Sequence, residues 1–283
     1  MPSLSLLHAT HRSPVSPLEI REAWLTSADN PHLIEYIFSM DSDDDESIRA
    51  TQETHRCIPG PSGTYSTAVR NWNAAAAISA NDVLFVIADD LRPPPSWDTQ
   101  LCEILGDNDP QQQTFAVKIR DSPDPNDFLL RHPVISRLFF NQYGLFDNEF
   151  HGVYCDNDIS LRAYWKSVIL DGRGIHFEHE HPATNHSLVM TESHIKMNRS
   201  EEYQHGESVL ESRWPCWKIM AGVRPIRSDR RIVGHRRLLL LRAYGWSLLT
   251  LTSNKVPTKR KLLLLRDRAV QTAIYQRIRK VGV

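Results

Sequence analysis

The sequence has no C-x-x-C pair. Its four cysteines, Cys57, Cys102, Cys155 and Cys216, lie far apart. That spacing excludes a zinc ribbon and a disulfide framework and suits a reducing compartment. The opening residues, MPSLSLLHATHR, have neither the basic start nor the apolar run of a secretory leader. Nowhere does the chain hold the ~20 apolar residues that a membrane-spanning helix needs. No Gly-x-x-x-x-Gly-Lys loop is present, which disfavours P-loop kinases and ATPases. A Gly-x-Ser-x-Gly elbow is also missing, which disfavours an α/β-hydrolase. These absences give the expectation of a cytoplasmic protein.

What is present is ordinary in amount and uneven in place. With 283 residues, 41% hydrophobic and 24% charged, the chain can form one large α/β domain or two small ones, and is neither disordered nor collagen-like. The formal charge is −1, but residues 224–283 carry +14 and residues 1–223 carry −15. The division predicts an acidic domain over 1–223 and a basic, leucine-rich helical tail over 224–283. Leu238–Leu241, Trp246–Leu251 and Leu262–Leu265 sit among Lys and Arg. Such helices lie on an anionic membrane surface or pack their leucines on the acidic body. The tail contains no nucleic-acid-binding module, so no specific nucleic acid is expected.

The acidic part alternates strand and helix patterns. Leu4–Ala9 reads as a strand. Ser16, Pro17 and Glu19 read as the capped start of a helix. Ile34–Met40 is a second strand, and Tyr65–Ser79, with alanines at 74–77, a helix. Val83–Ala88 is a nearly unbroken apolar run, the mark of a strand buried on both faces. Ser96–Leu105 reads as a helix, and Thr114–Ile119 and Ser167–Asp171 as further strands. Alternation of this kind predicts a mainly parallel sheet with helices on both faces. Ligands of such sheets bind beyond the carboxyl ends of the strands.

Two of those ends are acidic. Asp41-Ser-Asp-Asp-Asp-Glu46 follows the second strand, and Asp89-Asp90 follows the buried run. Adjacent carboxylates repel, and a divalent cation such as Mg²⁺ or Mn²⁺ relieves them. Asp alone is also common at the start of a turn. Asp156 or Asp158 can cap a helix running through Ala163 and Trp165, which leaves the other free for a second task. In His176-Phe-Glu-His-Glu-His-Pro182, His179 and His181 project from one face of an extended chain and can ligate a metal.

Taken in order, the segments LSLLHATHR (4–12), IEYIFSMDSDD (34–44), VRNWNAAAAISANDVLFVIADD (69–90), PVISRLFFNQYGLF (133–146), YCDNDISLRA (154–163) and HFEHEHP (176–182) resemble the GT-A glycosyltransferases, in particular the family 2-like inverting enzymes. The resemblance implies a Rossmann-like α/β fold and sugar transfer from a nucleotide-diphosphate sugar, of UDP type, to an acceptor hydroxyl of a glycan, a lipid-linked molecule or a protein. It further implies that Thr10 and Arg12 touch the nucleotide, that Asp41 reads its base, and that Asp89 and Asp90 form the acidic motif at the metal and nucleotide. By the same likeness Asp156 is the general base, and His179 or His181 completes a Mn²⁺ or Mg²⁺ site. Ile87 and Cys155 stand where the family often has acids. Two other readings remain beside it: a GT-A-shaped binding protein without chemistry, for which Ile87 speaks, and a nucleotidyltransferase, whose glycine- and Lys/Arg-rich loop after the first strand is absent.

Overall fold

The computed structural model describes residues 1–124, 127, 129–166, 168–180, 190–214, 226–228 and 231–233, and a few isolated positions between 248 and 261. The chain begins β1 (Leu4–Ala9), α1 (Pro17–Thr26), β2 (Ile34–Ser39), α2 (Asp45–Ala50), β3 (Arg56–Cys57), α3 (Ala68–Ile78) and β4 (Val83–Ile87). Next come β5 (Leu91–Arg92), α4 (Trp97–Leu105), β6 (Ala116–Arg120), β7 (Val134–Ser136), α5 (Arg137–Tyr143) and α6 (Cys155–Lys166). The remaining elements are β8 (Ile169–His176), β9 (Glu178–His179), α7 (Glu192–Met197), α8 (Ser200–Arg213), β10 (Ile226–Ser228) and β11 (Arg231–Val233).

Nine strands form one sheet in the order β10-β11-β8-β6-β7-β4-β1-β2-β3. β1 is flanked by parallel partners, with Leu4 opposite both Ile34 and Val83. The chain leaves β1 toward β2 and β3, then returns to the other side of β1 as β4. Beyond the carboxyl ends of β1 and β4 the backbones diverge, and a crevice opens there. β7 runs antiparallel between β4 and β6, so that Val134 faces Phe85 on one side and Val117 on the other. The architecture is the expected one, an α/β sheet covered by helices on both faces.

The buried run behaves as its composition dictates. All five residues of β4 are buried, and they alternate between two cores. Leu84 and Val86 join Val69, Ala75 and Ala76 of α3, Phe139 of α5 and Ile159 of α6. Val83, Phe85 and Ile87 join Ile20 and Trp24 of α1 and Trp97, Leu101 and Leu105 of α4. Period-2 alternation of this kind suits a strand with helices above and below. Ile87 and Cys155, which stand where acids were considered, are core side chains.

Local expectations fared unevenly. Helix α1 starts at Pro17, but the capping box over Ser16 and Glu19 does not form. The Ser16 side chain makes no cap hydrogen bond, and its carbonyl accepts the amides of Glu19 and Ile20 at 3.0 and 3.2 Å. Neither Asp156 nor Asp158 caps α6; both lie inside its first turn. The strand expected over Ser167–Asp171 runs on to His176. The first part of the basic segment supplies β10 and β11, and β11 pairs with β8 through Arg231–Leu170 and Ile232–Ile169. The leucine clusters 238–241 and 262–265 lie outside the described residues, and of the run Trp246–Leu251 Leu248 and Leu251 alone are described. No helix among the described residues is long and apolar enough to cross a membrane.

One buried acid fastens α4 to the end of α1. Asp98 is 2% exposed and accepts the backbone amides of Asp29 and Asn30 at 2.9 and 2.8 Å. Burial pushes its carboxyl up, but these hydrogen bonds outweigh burial and hold it below the usual aspartate value. The expected outcome for Asp98→Ala is a loss on the order of 2–3 kcal/mol, since two amides lose a charged acceptor. A depressed folded-state pKa means this stabilisation is full above the unfolded aspartate pKa and disappears as pH falls through the folded one. Denaturant titrations of both proteins at neutral and acid pH check it: the gap between them must close on acidification.

Candidate functional site

A cleft of about 740 Å³ lies at the carboxyl ends of β1, β2 and β4 and is walled on its far side by the start of α6 and by α7. Thr10, Asp41, Asp89, Asp90, Asp156 and His179 all line it. Six residues spread over 170 positions of sequence are therefore brought to one place by the parallel strand order.

Thr10 follows β1 directly and is 1% exposed, and its hydroxyl has no hydrogen-bond partner among the described residues. A buried hydroxyl facing a cleft is suited to a polar ligand. Asp41 is fully buried and accepts from Thr67 Oγ1 at 2.6 Å, Arg70 Nη2 at 2.7 Å and Asn71 Nδ2 at 2.8 Å. His11 Nδ1 lies 3.3 Å from the same carboxylate. Thr67, Asn71 and His11 line the cleft as well. Arg12 is oriented otherwise. It has a left-handed backbone, φ 46°, and its guanidinium meets Glu192 at 2.9 Å and Asp43 at 3.4 Å.

The adjacent acids after β4 diverge. Asp89 Oδ1 lies 2.8 Å from His8 Nε2, and His8 Nδ1 lies 2.8 Å from the Tyr36 hydroxyl. Burial pushes the Tyr36 phenol well above its usual value, so it keeps its proton. The chain is satisfied when Tyr36 donates to Nδ1 and the Nε2–H donates to Asp89. Asp90 turns the other way. Its Oδ2 lies 3.2 Å from His179 Nε2 and 3.6 Å from His194 Nε2. Burial raises the Asp90 carboxyl, but the hydrogen bonds from His179 and His194 dominate and hold it well below the usual range.

His179 reaches Asp90 because β9 pairs with β5, Leu91 opposite His179, and because the Glu180 amide donates to the Asp90 carbonyl at 2.8 Å. Phe177, two residues earlier, is buried in a cluster with Trp24, Phe85 and Trp97 at centroid distances of 5.7, 5.4 and 6.5 Å. The alternation expected from the sequence is kept, with Phe177 and His179 inward and His176 and Glu178 exposed. His181 lies outside the described residues.

A third group joins Asp90 and His179. His132 precedes β7, and one ligand atom from each of Asp90, His132 and His179 lies within 4.8 Å of the others. His132 Nδ1 is 3.0 Å from Asp121 Oδ2, and buried Lys118 donates to Asp121 Oδ1 at 2.7 Å. Burial lowers the His132 pKa, against the pull of Asp121. A neutral imidazole whose Nδ1–H is held by a carboxylate presents Nε2 as a ligand, the usual outer-shell arrangement of metal-binding histidines. Two imidazoles and one carboxylate fit Mn²⁺ better than Mg²⁺, which prefers oxygen ligands throughout. Asp89, held by His8, stands outside this group of three.

At the far wall, Asp156 and Asp158 have separate tasks. Asp158 is fully buried and accepts from Arg162 at 2.9 Å, Arg213 at 3.0 Å and Trp214 at 2.8 Å, tying α6 to the end of α8. Asp156 is half-buried and faces the cleft; among the described residues its Oδ1 accepts only the neighbouring Asn157 amide, at 2.9 Å. Burial raises its pKa, and the positive charge of Arg131 works against that rise.

His132, His194 and His8 carry no motif and were not singled out from the sequence. Only His8 leaves a trace, as a lone imidazole within a strand that is apolar but for Ser5. The group of three generates a direct expectation. His132→Ala or His179→Ala weakens Mn²⁺ binding more than about 10-fold. Calorimetric titration with Mn²⁺ checks it; unchanged affinity in His132→Ala removes His132 from the set.

No protein-family model matches the sequence, and no curated protein sequence matches it either. Solved structures do match. Residues 1–349 of S. aureus TarS in complex with UDP-GlcNAc superpose with a TM-score of 0.57 at 11% identity, over 94% of this chain and 79% of that one. GalNAc-T7 with UDP, GalNAc and Mn²⁺ superposes with a TM-score of 0.55 at 10% identity, over 78% of this chain and 50% of that one. Likeness at such low identity is a statement about backbone architecture, and in that architecture the chain has the GT-A fold.

Proposed function

We propose that the protein is a metal-dependent glycosyltransferase that moves a sugar from a UDP-sugar to an acceptor hydroxyl with inversion. The observation that carries this reading is one cleft holding three elements together: the group Asp90, His132 and His179, the carboxylate of Asp156 across from it, and the unpartnered Thr10 hydroxyl. TarS bound to UDP-GlcNAc and GalNAc-T7 bound to UDP and Mn²⁺, which share the fold, support it.

The residues divide the work. Thr10 and the side chains fastened by Asp41, namely Thr67 and Asn71, bind the nucleoside. Asp89, held by His8, faces the nucleotide beside them. Asp90, His132 and His179 would hold the divalent cation, which when bound would supply Lewis-acid charge stabilisation for the departing diphosphate. Asp156 accepts the proton of the acceptor hydroxyl as its oxygen bonds to the anomeric carbon and the bond to the diphosphate breaks. Direct attack from the side opposite the leaving group inverts the anomeric centre and needs no covalent intermediate on the protein. Burial raises the Asp156 pKa, which makes it a stronger base than an ordinary aspartate.

Two outcomes are expected. UDP binds more tightly with Mn²⁺ than with EDTA, and Asp90→Ala abolishes the difference; equal binding in both solutions defeats the proposal. Asp156→Asn lowers transfer by about 10²–10⁴-fold with donor affinity kept. Because Asp156 must be ionised to act, wild-type turnover falls as pH drops through a value above the ordinary aspartate pKa. Arg131→Ala, which removes an opposing positive charge, moves that acid limb to higher pH. Rate profiles of both variants check the assignment, and near-normal turnover in Asp156→Asn contradicts it.

A further inference from the structure

We infer that the acceptor is a pyranoside, and that its ring stacks on a tyrosine wall made by Tyr154 and Tyr203 beside Asp156. The inference rests on the transferase reading above and names its acceptor class.

Tyr154 is the residue just before α6, two positions from Asp156, and it lines the cleft. Its φ is 69°, a left-handed backbone that asparagine or glycine adopts with less strain. Backbone held in such a conformation costs folding energy and clusters at functional sites, and here it sits beside a reactive group although the ring also packs against the core. The conformation is enforced from behind. A Cβ added to Gly206 of α8 would stand 2.6 Å from the Val153 carbonyl oxygen and 3.0 Å from Tyr154 Cδ2. Helix α8 therefore presses directly on the 153–154 turn, and only a glycine permits the approach.

Tyr203 lies three residues before Gly206 on the same helix, so the two share a face. Its ring meets Tyr154 edge to face, at 6.1 Å and 89°, and its hydroxyl donates to Asn198 Oδ1 at 3.1 Å. Tyr203, Asn198 and Asn157 line the cleft with Tyr154. The wall thus offers aromatic faces next to amide groups. A pyranose matches both: its axial C–H groups carry partial positive charge toward the negative face of an aromatic ring, and its rim of hydroxyls bonds to amides. A nucleobase also stacks on tyrosine, but the polar groups suited to the nucleoside cluster after β1 and β2, around Thr10 and Asp41. The tyrosines stand on the α6–α8 side, next to the carboxylate that takes the acceptor proton.

The left-handed backbone supplies an unusual test. Tyr154→Gly removes the ring and its core packing while relieving the strain, so these two effects oppose in the melting temperature, and the pyranoside KM read beside UDP affinity separates a ligand-binding ring from a merely structural one. Melting temperature, UDP affinity in Mn²⁺, and UDP release from UDP-glucose, UDP-galactose and UDP-N-acetylglucosamine are measured with methyl pyranosides as acceptors. The expected result is a Tyr154→Gly protein that stays folded, binds UDP equally well, and shows a roughly 5- to 10-fold higher KM for the pyranoside. Tyr154→Phe, which keeps the ring, restores the wild-type KM. An unchanged pyranoside KM in Tyr154→Gly overturns the inference. Weakened UDP binding also overturns it, by assigning the wall to the donor, as does wild-type UDP release that no pyranoside accelerates. A wild type that turns over no nucleotide-sugar at all defeats the transferase reading itself.

Discussion

The candidate site depends on a very short piece of sheet. Leu91–Arg92 pairs with Glu178–His179, the Glu180 amide bonds the Asp90 carbonyl, and the Arg92 side chain meets Glu180 at 2.8 Å. Two strand residues on each side are too few to be stable alone. Their stability comes from underneath, where Phe177 enters the Trp24, Phe85 and Trp97 cluster, with Trp24 Nε1 donating to the Leu91 carbonyl at 3.3 Å. The apolar core therefore sets the separation of Asp90 and His179, residues that are 89 positions apart in sequence.

Two carboxylates in sequence present an electrostatic problem that the fold solves by separation. Asp89 is turned to a buried histidine on β1, and Asp90 to histidines arriving from β9 and α7. Each acid is held by a different partner, and the two carboxylates are turned apart. The same device recurs at Asp156 and Asp158. The second is consumed by Arg162, Arg213 and Trp214, and the first is left with one backbone amide and a view of the cleft. In the second pair one carboxylate is consumed by the fold and the other faces the ligand space; in the first, both line the cleft, each held by its own histidine.

How much of this was legible in the residues follows from the range of the interactions. β4 was readable because Val83–Ile87 is uniformly apolar, and a strand covered on both faces needs that composition. Asp41, Asp89 and Asp90 were readable because the carboxyl ends of parallel neighbouring strands lie along one edge of the sheet. His132 was not. It stands in Arg-His-Pro with no neighbouring ligand, and it meets Asp90 only because β7 is inserted antiparallel between β4 and β6, a register that no local pattern encodes. The roles of Asp156 and Asp158 could not be separated in advance either, since Arg213 and Trp214, which claim Asp158, lie 55 and 56 residues away. The capping box at Ser16 shows the opposite failure: a correct local pattern whose side chain made no bond, because the serine carbonyl alone sufficed to start the helix.

Asp41 has a consequence of its own. A carboxylate has about four acceptor positions, and three are filled by Thr67, Arg70 and Asn71, with His11 close to the fourth. Such a group is a hub: it keeps a loop, a helix start and a strand end at fixed spacing, so a guest arriving there meets a rigid rim of hydroxyl and amide. Discrimination among guests is then a matter of which outline the rim admits. A guest that reached for the carboxylate itself would first have to evict a resident donor, and would gain only the difference between the two bonds.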